Sequence, residues 1–304
     1  MDVLRTPDSA FAAIPDFDFP VTYTNVTAHD GTTLRVAHVD AGPKNAADTI
    51  LCMHGEPSWS FLYRKMIPVL VAAGHRVVAP DLVGFGRSDK PALTSDYTYE
   101  RHVDWMSQWL VANDLRNLTL VCQDWGSLVG LRLVTAFPDR FDRVVLGNGG
   151  LPTGDPEPNA AFKAWREFSQ STPVFETSKI IQGGCAVKPL PPEVLAAYDA
   201  PYPDESYKAG ARIFPTLVPA SLDYPSSKEN LAAWEVLKTW TKPFHCAFSD
   251  SDPVTKNGEW AFRKNIPGCE TSAHTTIVGG GHFLQEDRGE ELATFVNSTI
   301  HRSG

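Results

Sequence analysis

Apolar and polar positions change period along this chain in a way that marks one element after another. Residues 21–26 and 32–39 alternate apolar and polar and are joined through Asp30-Gly31, which predicts a hairpin at the edge of a sheet. Residues 49–53 form a short apolar run, and helical periodicity follows over 61–71. The pair then recurs: a strand at 76–80, a helix over 99–115, a strand over 117–123, a helix over 127–137 and a strand at 143–146. Short apolar strands alternating with helices predict an α/β fold, a mostly parallel sheet covered on both faces.

After Asn148 this rhythm stops. Residues 151–227 carry no strand signal, and Pro152, Pro156, Pro158, Pro173, Pro189, Pro191, Pro192, Pro201 and Pro203 divide them into short helical pieces. The stretch is expected to be an inserted helical cap. The sheet pattern returns with a strand over 243–249, a helix over 258–265, a strand at 275–278 and a closing helix over 290–301. Residues 1–150 and 228–304 are therefore expected to form one core, with 151–227 as its cap.

Composition narrows the class of partner. The chain has 304 residues, 42% hydrophobic and 21% charged, enough to bury a large core. Its net charge of −9 comes with no basic block, so neither a nucleic acid nor an anionic membrane is expected as a partner, and a small molecule is. Residues 1–20 show no export signal and no membrane-spanning run, which predicts a cytoplasmic chain; a monomer is expected. Five cysteines without metal-ligand spacing predict reduced, mostly buried thiols and no metal site.

The chemistry centres on Val121-Cys122-Gln123-Asp124-Trp125-Gly126-Ser127, where a predicted strand turns into a predicted helix. Small residues two positions either side of Asp124 suit a nucleophile elbow, but its apex holds a carboxylate where serine would mark an esterase. In the α/β-hydrolase fold the nucleophile, acid and histidine follow one another along the chain, and Asp124, Asp252 and His282 stand in that order. His282 ends Gly279-Gly280-Gly281, a loop able to bring an imidazole over the sheet edge. Asp250 rivals Asp252, which is preferred because Pro253 restricts it; Asn148 could at best assist. His54-Gly55-Glu56-Pro57 occupies the loop that supplies one oxyanion N–H, assigned to Glu56, with the second from Trp125.

An aspartate carboxylate, with a reference pKa of about 3.9, needs no base before it attacks. It can displace a leaving group from saturated carbon and become an ester on the enzyme, which water activated by His282 then hydrolyses. An epoxide oxygen leaving in this way needs a proton, usually from cap tyrosines, for which Tyr198, Tyr202, Tyr207 and Tyr224 are available. A halide needs only N–H donors in a dry pocket. The indole of Trp125 is such a donor, and Trp165 is the candidate for a second. Phe162 and Phe168 are candidates for the pocket wall, or with Phe175 for simple filling of the cap.

The segments His54-Gly55-Glu56-Pro57-Ser58-Trp59-Ser60, Asp81 through Asp89, Gln123-Asp124-Trp125-Gly126, Phe162 to Trp165, Tyr202 to Phe214 and Gly281-His282-Phe283 together resemble the haloalkane dehalogenases of the α/β-hydrolase fold. The likeness runs over almost the whole chain. It is nearest to the subfamily whose catalytic acid follows the later strand and whose halide is held by one tryptophan beside the nucleophile and another in the cap. The resemblance implies conversion of a halogenated alkane and water to an alcohol, a halide ion and a proton, without cofactor, metal or oxygen. It carries Asp124 as nucleophile, His282 as base, Asp252 as its partner, Trp125 and Trp165 as halide donors, and Glu56 and Trp125 as oxyanion N–H donors. An epoxide hydrolase of the same fold and a non-catalytic ligand-binding homologue are the alternatives; Gln123 and the tryptophan pair weigh against the first, the ordered triad against the second.

Overall fold

The computed structural model describes residues 1–300. Its eight-stranded sheet consists of β1 (Val21–Thr27), β2 (Thr33–Ala41), β3 (Thr49–Met53), β4 (Arg76–Pro80), β5 (Leu118–Asp124), β6 (Phe141–Gly149), β7 (Phe244–Ser249) and β8 (Thr275–Ile277). The spatial order is β8-β7-β6-β5-β3-β4-β2-β1, parallel from β8 to β4, with β2 and β1 added antiparallel at one edge. The apolar runs are continuous because these strands are buried on both faces. Leu51 and Met53 of β3 and Leu118, Leu120 and Cys122 of β5 enter one core, while Ile50, Cys52 and Val121 enter the other.

Helices α1 (Ile67–Ala72), α2 (Tyr99–Ala112) and α3 (Trp125–Ala136) belong to the strand-helix alternation. Buried residues of α2 and α3 fill the first core, and those of α1 the second. The helix expected over 61–71 is split, a 3-10 turn at Ser60–Tyr63 preceding α1. Pro68, at the start of α1, explains the break, since a proline cannot accept a helix arriving from its N-terminal side.

Between β6 and the next core-packed helix lie α4 (Ala160–Ser171), α5 (Thr177–Gly184), α6 (Pro192–Asp199) and α7 (Ala209–Leu217). They are followed by α8 (Ser227–Leu237), which packs on α3, and α9 (Glu259–Asn265). The closing helix α10 spans Leu284–Ile300, six residues earlier than the pattern predicts, and breaks at Arg288, whose φ is −139° and ψ 38°. Its first turn escapes a periodicity reading because Gln285 and Glu286 there are polar yet buried. The predicted end of this helix, His301, lies outside the described residues. All five cysteines are free and buried. Among the described residues no helix is long and apolar enough to cross a membrane.

Candidate active site

The carboxyl ends of β3, β5, β6, β7 and β8 converge, the position where open α/β sheets receive ligands. Asp124 closes β5 with φ 49° and ψ −132°, a conformation that costs a non-glycine residue of order 1–3 kcal/mol. The β5–β6 register shifts between Cys122 and Asp124, and α3 starts at once with Trp125. So abrupt a turn brings the chain hard against β3. A Cβ on Gly126 would lie 1.9 Å from the Met53 carbonyl oxygen, which is why a small residue stands there. The turn lifts the Asp124 carboxylate toward the loop after β3, where the Glu56 N–H donates to Oδ1 at 2.7 Å. Trp125, as first residue of α3, has an N–H with no intrahelical carbonyl to serve.

On the other side of Asp124 lies His282, its Nε2 3.5 Å from Asp124 Oδ2. Its Nδ1–H donates to Asp252 Oδ2 at 2.9 Å. Asp252 is only 2% exposed and also accepts from the Val254 N–H at 2.9 Å and from the Thr255 hydroxyl. The rival Asp250 instead accepts from the Gly279 N–H and the Ser251 hydroxyl. Burial alone would raise the Asp252 carboxyl, but His282, Thr255 and Val254 outweigh it and hold it at about 2. Burial alone would lower the imidazole, but Asp252 and Asp124 together raise it to about 10. The two carboxylates on either side of the imidazole thus both favour its protonated form.

Two further side chains hold the histidine loop: Asn148, expected at most to assist, and Gln123, whose place in its motif carries no such role. The side-chain amide of Gln123 lies 3.0 Å from His282 Nε2 and donates to the His282 carbonyl at 3.2 Å. Asn148, at the end of β6, donates to the Gly281 carbonyl at 2.7 Å and to the His282 carbonyl at 3.2 Å, and accepts from the Ser249 N–H. Polar residues ending otherwise apolar strands were their signal. His54 is a fixture of the loop: Nδ1–H donates to the Gly55 carbonyl, Nε2 accepts from the Leu82 N–H, and burial keeps it neutral. The Glu56 side chain is buried with Oε1 unpartnered, and burial, then the charge of Asp124, pushes its carboxyl well above the usual range.

Two cavities meet at Asp124. The larger, about 800 Å³, is walled by Glu56, Phe162, Trp165, Phe168, Asp252 and His282 among others. The second, about 440 Å³, has Trp125, Leu151, Phe162, Val218 and Trp234 in its wall. The two indoles thus line different cavities, and Asp124 and Phe162 border both. Trp125 packs edge-on to Tyr99 at 5.0 Å and tilts over Phe214 at 4.4 Å. Trp165 lies between Phe168 at 5.9 Å, itself 46% exposed, and Phe175 at 6.0 Å. Among the described residues no tyrosine lines either cavity; the Tyr198 hydroxyl donates to Glu286 and that of Tyr224 to the Thr216 carbonyl.

A family model of the alpha/beta hydrolase fold matches residues 48–183. A haloalkane dehalogenase of Psychrobacter cryohalolentis is 56% identical over 99% of both chains. Haloalkane dehalogenase 1 of Mycobacterium tuberculosis is 48% identical over 96% of this chain and 97% of its own. Among solved structures, the tetrameric haloalkane dehalogenase DpaA of Paraglaciecola agarilytica superposes with a TM-score of 0.90 at 35% identity, covering 97% of each chain. Together with the strand-end site built on Asp124, these likenesses establish that the chain belongs to the haloalkane dehalogenase family.

Proposed function

We propose that Asp124, His282 and Asp252 carry the hydrolytic dehalogenation that characterises this family, with each residue in a distinct role. Asp124 attacks the halogen-bearing carbon; the carbon–halogen bond breaks as the carbon–oxygen bond forms, and the halide leaves into the indole N–H groups of Trp125 and Trp165. Phe162 and Phe168 give the alkyl chain an apolar wall. Water then attacks the ester carbonyl while His282 Nε2 takes its proton, the oxyanion resting on the N–H groups of Glu56 and Trp125. Collapse expels the alcohol with the oxygen that Asp124 contributed.

The observation that carries this reading is the double engagement of one carboxylate, by the Glu56 N–H at 2.7 Å on one oxygen and the imidazole at 3.5 Å on the other. It also supplies the timing. While Asp124 is ionised, its charge helps hold His282 protonated; esterification removes that charge, the imidazole pKa drops, and the residue becomes a base when one is needed.

Within this reading, residues 151–227 form the cap over a core of 1–150 and 228–304, and the chain falls in the subfamily with its acid after β7 and a halide-binding tryptophan in the cap. It works in the cytoplasm without cofactor or metal, and as a monomer; light scattering at assay concentration tests the last point against the tetramer described for DpaA. The native protein incubated with 1-bromobutane is expected to yield bromide and 1-butanol in equal amounts and to leave styrene oxide untouched. Turnover of the epoxide without bromide release would reverse the assignment. Trp165→Phe, which keeps the ring and deletes the N–H, is expected to weaken bromide quenching of tryptophan fluorescence about tenfold, the worth of roughly one charge-assisted hydrogen bond. Unchanged quenching would move the second donor elsewhere.

A further inference from the structure

The cavity wall and the histidine loop are fastened together by a carboxylate with no part in the chemistry. Asp287, in the first turn of α10, accepts three backbone N–H groups: Gly281 at 2.7 Å and Ala186 at 2.8 Å on Oδ2, and Val187 at 2.8 Å on Oδ1. Gly281 immediately precedes His282. Ala186 and Val187 belong to the segment following α5. The same two strands of chain are joined directly, since the His282 N–H donates to the Gly184 carbonyl at 2.7 Å. They are also in tight contact, for a Cβ on Gly281 would fall 2.3 Å from the Gly184 oxygen and 2.7 Å from the Ala186 nitrogen. Gly184, Cys185 and Ala186 line the larger cavity together with Asp124, Gly281 and His282. The neighbouring Glu286 makes a second tie, accepting from Arg64 at 2.6 Å twice and from the Tyr198 hydroxyl of α6 at 2.5 Å.

We propose that Asp287 is a positioning residue for the hydrolytic half of the reaction: it locks the cavity-wall segment 184–187 to the His282 loop and so holds Nε2 at the correct distance from the Asp124 carbonyl carbon. The inference rests on the roles given above to Asp124 and His282. Formation of the ester needs Asp124, fixed by the β5–α3 turn and the Glu56 N–H, and the two indoles; none of these is held by Asp287. Hydrolysis needs the imidazole in register. Asp252 fixes its Nδ1 end, while the main chain of residues 281 and 282 is held by Asp287, Asn148 and Gly184. A displacement of about 1 Å at such a group can cost roughly a hundredfold.

The test separates the two steps by rapid quench with 1-bromobutane. In Asp287→Ala the first-turnover release of bromide should stay within about twofold of native, while release of 1-butanol falls by about tenfold or more and the butylated protein accumulates in the mass spectrum at steady state. Gly281→Ala, whose methyl pushes the wall segment away while the Asp287 carboxylate itself is kept, should give the same split, and Asp287→Asn, which keeps one acceptor oxygen, a smaller one. Should Asp287→Ala fail to fold, the other two variants carry the test. Equal slowing of both steps, which a merely structural role would give, or butanol release at the native rate in the variants, overturns the proposal. A native protein that forms no alkyl ester would instead refute the role given to Asp124.

Discussion

Asp124→Ala is expected to reduce halide release from 1-bromobutane by roughly 10⁴-fold or more, to what binding and the N–H donors alone support. No neighbouring group can replace it. The Glu56 carboxyl, another acid in the cavity wall, is driven toward its neutral form by burial, and a neutral acid is a poor nucleophile toward saturated carbon; Asp252 is held by His282. The same variant has a second signature. Asp252 and Asp124 both raise the His282 imidazole, so deleting the Asp124 charge should lower its titration from about 10 toward the ordinary imidazole range, readable in the pH dependence of its ring proton resonances. An unmoved titration would mean that Asp252 alone sets the imidazole and that esterification of Asp124 does not release a base.

His282→Gln is expected to divide the reaction differently. Ester formation requires no proton transfer, so one equivalent of bromide should appear at a rate near native. Turnover beyond that depends on general-base catalysis, whose loss costs about 10²- to 10⁴-fold, and alkylated protein should therefore persist. Glutamine also keeps an oxygen or nitrogen near Asp252, which limits the disturbance to a partner that is only 2% exposed. Steady multiple turnover in this variant would show that another group activates the water.

The parts of this molecule legible in the sequence are those fixed by local chain geometry. The elbow could be found because the sheet needs a small residue at 126, where Met53 leaves no room, and because Asp124 stands between an apolar strand and an apolar helix. The order Asp124, Asp252, His282 could be found because each follows a strand in a fold that imposes that order. What stayed hidden depends on contacts between distant segments. Gln123 meets His282 across 159 residues, Asn148 meets Gly281 across 133, so that only its place at a strand end hints at a supporting role, and Asp287 joins Gly281 to Ala186 across 101 through backbone groups that no side-chain pattern encodes. The start of α10 escapes the apolar pattern because Glu286 is buried against Arg64 and Tyr198, so it interrupts an apolar period while serving the core. Trp165 is legible as an aromatic of the helical stretch after β6; that it borders a different cavity from Trp125 follows from how α4 packs, which spacing does not encode.

The central claim is that the alcohol oxygen comes from Asp124 and that water repairs the enzyme. A single turnover of 1-bromobutane with excess native protein in water enriched in oxygen-18 tests it most directly. Unlabelled 1-butanol and heavy oxygen in the peptide that contains Asp124 are expected. Labelled butanol with an unlabelled Asp124 peptide would mean that water attacks the substrate carbon itself, and would contradict it.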